Sequence, residues 1–169
     1  MPTIALKQTP MTLPIREYRH PVSLGALLLL IVNDHCLKGA GVAPGWLTGK
    51  LSDVAGMIFF PLLLTALWNT LRFASHLRRR PSTASNIHLE RRQLIVSITI
   101  SALLLTALQT CPEFVAFYES VLATCYFPTV VTSDITDLIA LPALYIPWRI
   151  GNQIIRAQEE QNPPLSPRN

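Results

Sequence analysis

Four stretches of the chain, about 21 to 39, 52 to 72, 93 to 110 and 129 to 149, are apolar over nearly the length that crosses a bilayer, which for a helix is roughly 20 residues. Such segments must bury their surface in lipid or in a large core, and at 169 residues with 14% charged side chains the chain is short and sparsely charged for the second option; soluble domains carry about 25%. The expected fold is therefore all-α, a polytopic membrane four-helix bundle. The outer two segments are the weaker ones. The first is apolar only from Val22 to Val32 and must recruit "NDHCLKG", and the fourth must recruit Asp134 and Asp137, so polar residues are expected at helix ends.

The cationic residues orient these segments. Lys7, Arg16 and Arg19 precede the first; Arg72, Arg78, Arg79, Arg80, Arg91 and Arg92 lie between the second and third; Arg149, Arg156 and Arg168 follow the fourth. Only Lys38 and Lys50 of the 14 Lys and Arg fall on the opposite side. Lys and Arg accumulate in cytoplasmic loops, which predicts both termini inside, a cytoplasmic tail over 1–20, a four-span domain over 21–150 and a flexible cytoplasmic tail over 151–169. The net charge of +4 and pI near 9.3 follow this placement, and the Arg-rich loop is too short for a nucleic-acid reader, so no nucleic-acid partner is expected. That loop either sets topology, the main reading, or holds anionic lipid headgroups. Trp46, Tyr118 and Tyr126 fall at the expected outer boundary and Trp68, Tyr145 and Trp148 at the inner one, as interfacial aromatics do. A basic N-terminus before an apolar stretch also resembles a signal peptide, but "NDHCLK" is charged where cleavage would occur.

An internal likeness stands out at an offset of 81, where "SDVAGMIFFPLLL" meets "SDITDLIALPALY". Ser52 pairs with Ser133, Asp53 with Asp134 and Pro61 with Pro142; upstream, "LLLLIVN" resembles "LLLTALQ" at an offset of 76. Two duplicated helical hairpins of parallel topology would explain this, with chance agreement of common apolar letters as the alternative. Ser52 and Ser133 are expected as helix caps, because Ser-Asp at a helix start offers acceptors to unpaired N–H groups and the acid complements the dipole.

Bundling would bring Asp34, His35, Lys50, Asp53, Asp134 and Asp137 together at the outer mouth as a candidate polar site. Capping suffices for Asp53 near the interface. Asp134 and Asp137 are one helical turn apart on one face and point to a polar cavity, able to relay protons or hold a cation. No spacing is specific for a metal, and no cofactor is expected. Pro61, Pro142 and Pro147 each remove a helix bond, read as ordinary kinking and packing. Residues 112–128 carry Phe114, Phe117, Tyr118 and Val121 at helical intervals, expected as a short amphipathic helix on the outer interface. Cys36, Cys111 and Cys125 fall on the outer side; in an oxidising compartment Cys111 with Cys125 is the disulfide most easily closed, against a reading as small buried thiols.

"NDHCLKGAGVAPGWLTGKLSDVAGMIFFP" together with "SDITDLIALPAL" resembles an uncharacterised group of bacterial multi-pass inner-membrane proteins, in which a TGKLSD-(small)-AG motif follows an ND-H-x-LKG helix end. The resemblance covers about two thirds of the chain. It implies a bacterial inner (plasma) membrane location and carries no activity over. Nucleophile triads, HExxH and phosphate-binding Gly-rich loops are missing from the sequence, which leans against an enzyme. A structural, binding or assembly component is the first functional expectation, with the lipid bilayer and a protein partner or second copy as its contacts. A small ion- or proton-coupled transporter is the alternative.

Overall fold

A computed structural model describes residues 20–38, 44–79, 89–125 and 130–161; the tails over 1–19 and 162–169, with Tyr126 and most of the Arg-rich loop, lie outside the described residues. Every regular element among the described residues is helical.

Helix α1 is Pro21–Val32, followed by a π-helical turn at Asn33–Leu37. Proline opens it because its missing N–H is not needed there, and the His20 ring accepts from the Val22 amide at 3.3 Å. Helix α2 is Gly45–Arg79. It starts where the Pro44 carbonyl accepts from the Leu47 and Thr48 amides, and it continues through a buried Pro61. Its start lies seven residues before the segment expected from 52, so Ser52 is inside the helix and is not a cap. Helix α3, Arg91–Thr110, nearly coincides with the expected third segment; the Gln93 side chain accepts from the Glu90 amide at 3.2 Å. A single residue, Cys111, separates it from α4, Pro112–Thr124, which again opens on proline.

The fourth apolar segment departs most from expectation. It is a 3-10 helix over Ile135–Leu144 and then α5, Tyr145–Gln161. A 3-10 helix rises about 2.0 Å per residue against 1.5 Å, so this stretch reaches further than an α-helix of the same length. Its cap is Asp134, which accepts from the Thr136 amide at 2.9 Å, whereas Ser133 donates to the Leu108 carbonyl at 2.9 Å. The cap therefore sits one residue later than expected, because Ser133 is drawn to the end of α3. Residues 151–161, expected as flexible tail, are helical: Pro147, Ile150, Gly151 and Gln158 form a buried stripe at helical spacing, and packing of such a stripe is what holds most helices.

The core joins α2, α3 and the 3-10 segment through Met57, Leu105, Ala140 and Leu144, with Val54, Ile98, Ala102 and Leu141 around them. Close approach relies on small residues: Ala55, Ser101 and Ala140 are essentially inaccessible. Gly151 brings α5 onto α3 so tightly that a Cβ would overlap the Leu94 side chain. Polar residues share the interior with this apolar core, and the outer surface carries many large hydrophobic side chains. Ser23, Asn33, Thr48, Thr65, Ser97 and Ser101 are buried, while Leu28, Leu67, Leu71, Leu103, Phe117 and Ile139 are more than half exposed. Gly45–Ser75 and Arg91–Thr110 are long and apolar enough to cross a membrane, and Pro21–Leu37 is a shorter apolar helix.

Candidate functional site

Three chain segments meet at the Lys50 end of the core. Lys50 stands in the second turn of α2, and its ammonium donates to Asp137 Oδ1 at 2.8 Å and Thr136 Oγ1 at 2.6 Å, with Asp134 Oδ2 at 3.9 Å. Asp137 lies in the first turn of the 3-10 helix with its side chain only 15% exposed. Its second oxygen accepts from Gln109 Nε2 at 3.3 Å, and Gln109 Oε1 accepts from the Asp134 amide at 2.8 Å. One amide at the end of α3 thus holds both the cap residue and the acid that Lys50 binds. The three segments are tied by charge-assisted hydrogen bonds, the stronger kind.

A second group continues from the first. Asp34, in the π-helical turn, accepts from Lys38 at 2.7 Å and from Ser52 Oγ at 3.0 Å. Half-buried Asp53 follows Ser52 in α2 and is near enough to Asp137, Lys38 and Lys50 to feel their charges. Beside Asp34, Asn33 is fully buried and donates to the Thr48 carbonyl at 2.7 Å, which pins the end of α1 to the start of α2. The junction assembles four carboxylates (Asp34, Asp53, Asp134, Asp137) around two ammonium groups (Lys38, Lys50).

Of the residues singled out from sequence, Asp34, Lys50, Asp53, Asp134 and Asp137 come together here. His35 does not: it is exposed, and its ring nitrogen pairs with the Ile31 carbonyl of its own helix at 3.1 Å. Ser52 and Ser133 take part as donors to Asp34 and to the Leu108 carbonyl, not as caps. Gln109 and Asn33 were not singled out. The offset of 76 aligns these two residues with each other, and each ties the end of one apolar helix to the start of the next segment; that alignment was the available signal.

One expectation is corrected. Cys111 and Cys125 are free thiols. They flank the 13 residues of α4, which at 1.5 Å per residue holds them about 20 Å apart, far beyond the Cα separation that a disulfide bridges. Among the described residues, no group of three or more His, Cys, Asp or Glu is placed to hold a metal ion.

No protein-family model, curated protein or solved structure matches the chain.

Proposed function

We propose that the chain is a multi-pass protein of the bacterial inner membrane and acts there as a structural, binding or assembly component. Its apolar segments, α1, α2, α3 and the 3-10 segment with α5, form a four-span bundle with both termini cytoplasmic. The observation that carries this reading is the distribution of polarity: serine, threonine and asparagine share the interior with the apolar core, while many large aliphatic side chains face outward. Lipid rewards that arrangement, because helix association there relies on close packing and interhelical hydrogen bonds. The Lys50–Asp137–Gln109 junction then serves as a clamp at the outer mouth. Within it the Lys50–Asp137 pair balances its charge and is hydrogen-bonded, the condition under which ionised groups persist at membrane depth.

Two measurements test this. Reporter fusions at each terminus should both register the cytoplasmic side, and the protein should resist alkaline extraction; a terminus on the outer face removes the four-span topology. For the clamp, Lys50→Asp and Asp137→Lys should each lower the amount of folded protein, and the double variant should recover it.

The alternative, a small proton- or ion-coupled transporter, is favoured by one feature: Asp53 faces Asp137, and four carboxylates surround two ammonium groups. Reconstituted vesicles separate the readings. Under the transporter reading they carry a proton or cation flux that Asp53→Asn abolishes while the bundle stays folded.

A further inference from the structure

At the opposite end of α2 and α3 from the charged junction, the two helices enclose an open groove of about 660 Å³, a volume in the range of small-molecule sites, roughly 300–1,000 Å³. Its walls are aliphatic: Leu67 and Leu71 on one side, Val96 and Ile100 on the other. Its end is polar. Arg72 and Glu90 bridge the mouth at 2.7 Å, and Trp68, 56% exposed, lies on the rim.

Two groups at that end lack a partner among the described residues. Arg92 is exposed and has no acidic partner among the described residues. Gln93 is 9% exposed; its oxygen takes the Glu90 amide, but its Nε2 is buried without an acceptor although the residue lines the groove. A buried donor left unpaired is costly. The Glu90 carboxylate is already held by Arg72, so the charge left over at the mouth is positive.

We infer that this groove binds an anionic phospholipid of the cytoplasmic leaflet, its phosphate accepting hydrogen bonds from Arg92 and the Gln93 amide and an acyl chain lying between Leu67, Leu71, Val96 and Ile100. The inference rests on the membrane reading, which puts the Arg72–Arg92 end at the cytoplasmic surface. Charge complementarity selects an anionic lipid over a neutral one, since basic pockets between helices on that side take acidic headgroups. The apolar walls select a lipid over a free anion.

Trp68 supplies the readout. The full chain carrying Trp46→Phe and Trp148→Phe, which leaves Trp68 as the only tryptophan, is reconstituted into phosphatidylcholine vesicles containing brominated phosphatidylglycerol or brominated phosphatidylcholine at equal mole fraction. Quenching by the anionic lipid should reflect roughly fivefold tighter association, the ratio given by about 1 kcal/mol per basic residue at an anionic surface. Arg92→Gln should bring the two lipids to parity while quenching by the neutral lipid stays intact, which shows that the bundle remains folded and inserted; Gln93→Leu, which keeps the Arg92 charge, should weaken quenching by both lipids and leave the anionic one preferred. Equal quenching by both lipids in the parent protein would overturn the inference, leaving only unspecific annular lipid. Displacement of the brominated phosphatidylglycerol by inorganic phosphate would also overturn it, in favour of a free-anion site. No quenching by either lipid, with the protein left in the aqueous phase, would remove the membrane reading itself.

Discussion

Ser52-Asp53 and Ser133-Asp134 are the same dipeptide on two different backbones. The first lies inside α2, two turns past its start, with Ser52 reaching across to Asp34. The second opens a 3-10 helix, with an extended Asp134 as cap. What precedes each pair accounts for the difference. Before Ser52, the Pro44 carbonyl collects the first amides and a helix is already propagating. Before Ser133 stand Val130, Val131 and Thr132, three β-branched residues whose restricted χ1 favours extended chain. Their segment is held from outside: Glu119 Oε1 accepts from the Val131 amide at 2.6 Å and Gln109 Oε1 from the Asp134 amide at 2.8 Å. A Ser-Asp pair is therefore a cap only where the preceding N–H groups are taken by something other than a helix.

The largest contrast between the halves is in their glycines. Gly151 in α5 has Leu94 where its Cβ would be, so Gly151→Ala should destabilise by about 1–3 kcal/mol, the range for overpacking a filled site. A thermal melt in detergent that is unchanged would mean that α5 docks more loosely than described. Next comes Asp137, whose loss removes the Lys50 and Gln109 bonds together. Asp137→Ala should lower the folded-to-unfolded ratio by roughly tenfold, a fall that one or two lost interactions produce in a marginally stable fold; titration with denaturing detergent would measure it.

The Ser-Asp pairs themselves give a smaller effect of opposite sign. Asp134→Ala removes a cap and should weaken the fold, whereas Asp53→Asn removes a carboxylate facing Asp137 and should leave stability unchanged or higher. Equal losses in both variants would restore the two pairs to one role. The smallest effect concerns Gly56, the counterpart of Asp137 at the offset of 81. It lies inside α2 with open space at its Cβ position, so Gly56→Ala should stabilise by about 0.5–1 kcal/mol through backbone entropy. A loss on that substitution would point to a neighbour packed against this face, such as a second copy of the chain.

Much of the helical layout is legible in the sequence because it depends on local composition. The apolar run that forms α3 is placed to within two residues at its start and ends at Thr110 as expected, and the polar residues at the ends of the apolar segments follow from where those runs stop. The extra turns of α2 are not legible, since its start depends on which carbonyl collects the first free amides. Nor is the role of Gln109: as a single amide it looks like ordinary helix-end polarity, and its value comes from lying opposite Asp134 and Asp137.

What the sequence determined by itself is the helical class, two helices apolar enough for a membrane, and a concentration of carboxylates at the ends of apolar segments; these follow from hydrophobic length and periodicity, which are properties of consecutive residues. Tertiary structure alone decided that Lys50 binds Asp137, that the fourth segment is wound as a 3-10 helix, that Cys111 and Cys125 stand apart, and that a groove with an unpaired amide opens between α2 and α3. The Lys50–Asp137 pair and the groove depend on distances between residues far apart in the chain, which are set by how the helices pack against one another, whereas the 3-10 winding and the spacing of the two thiols depend on which helix type each local stretch adopts.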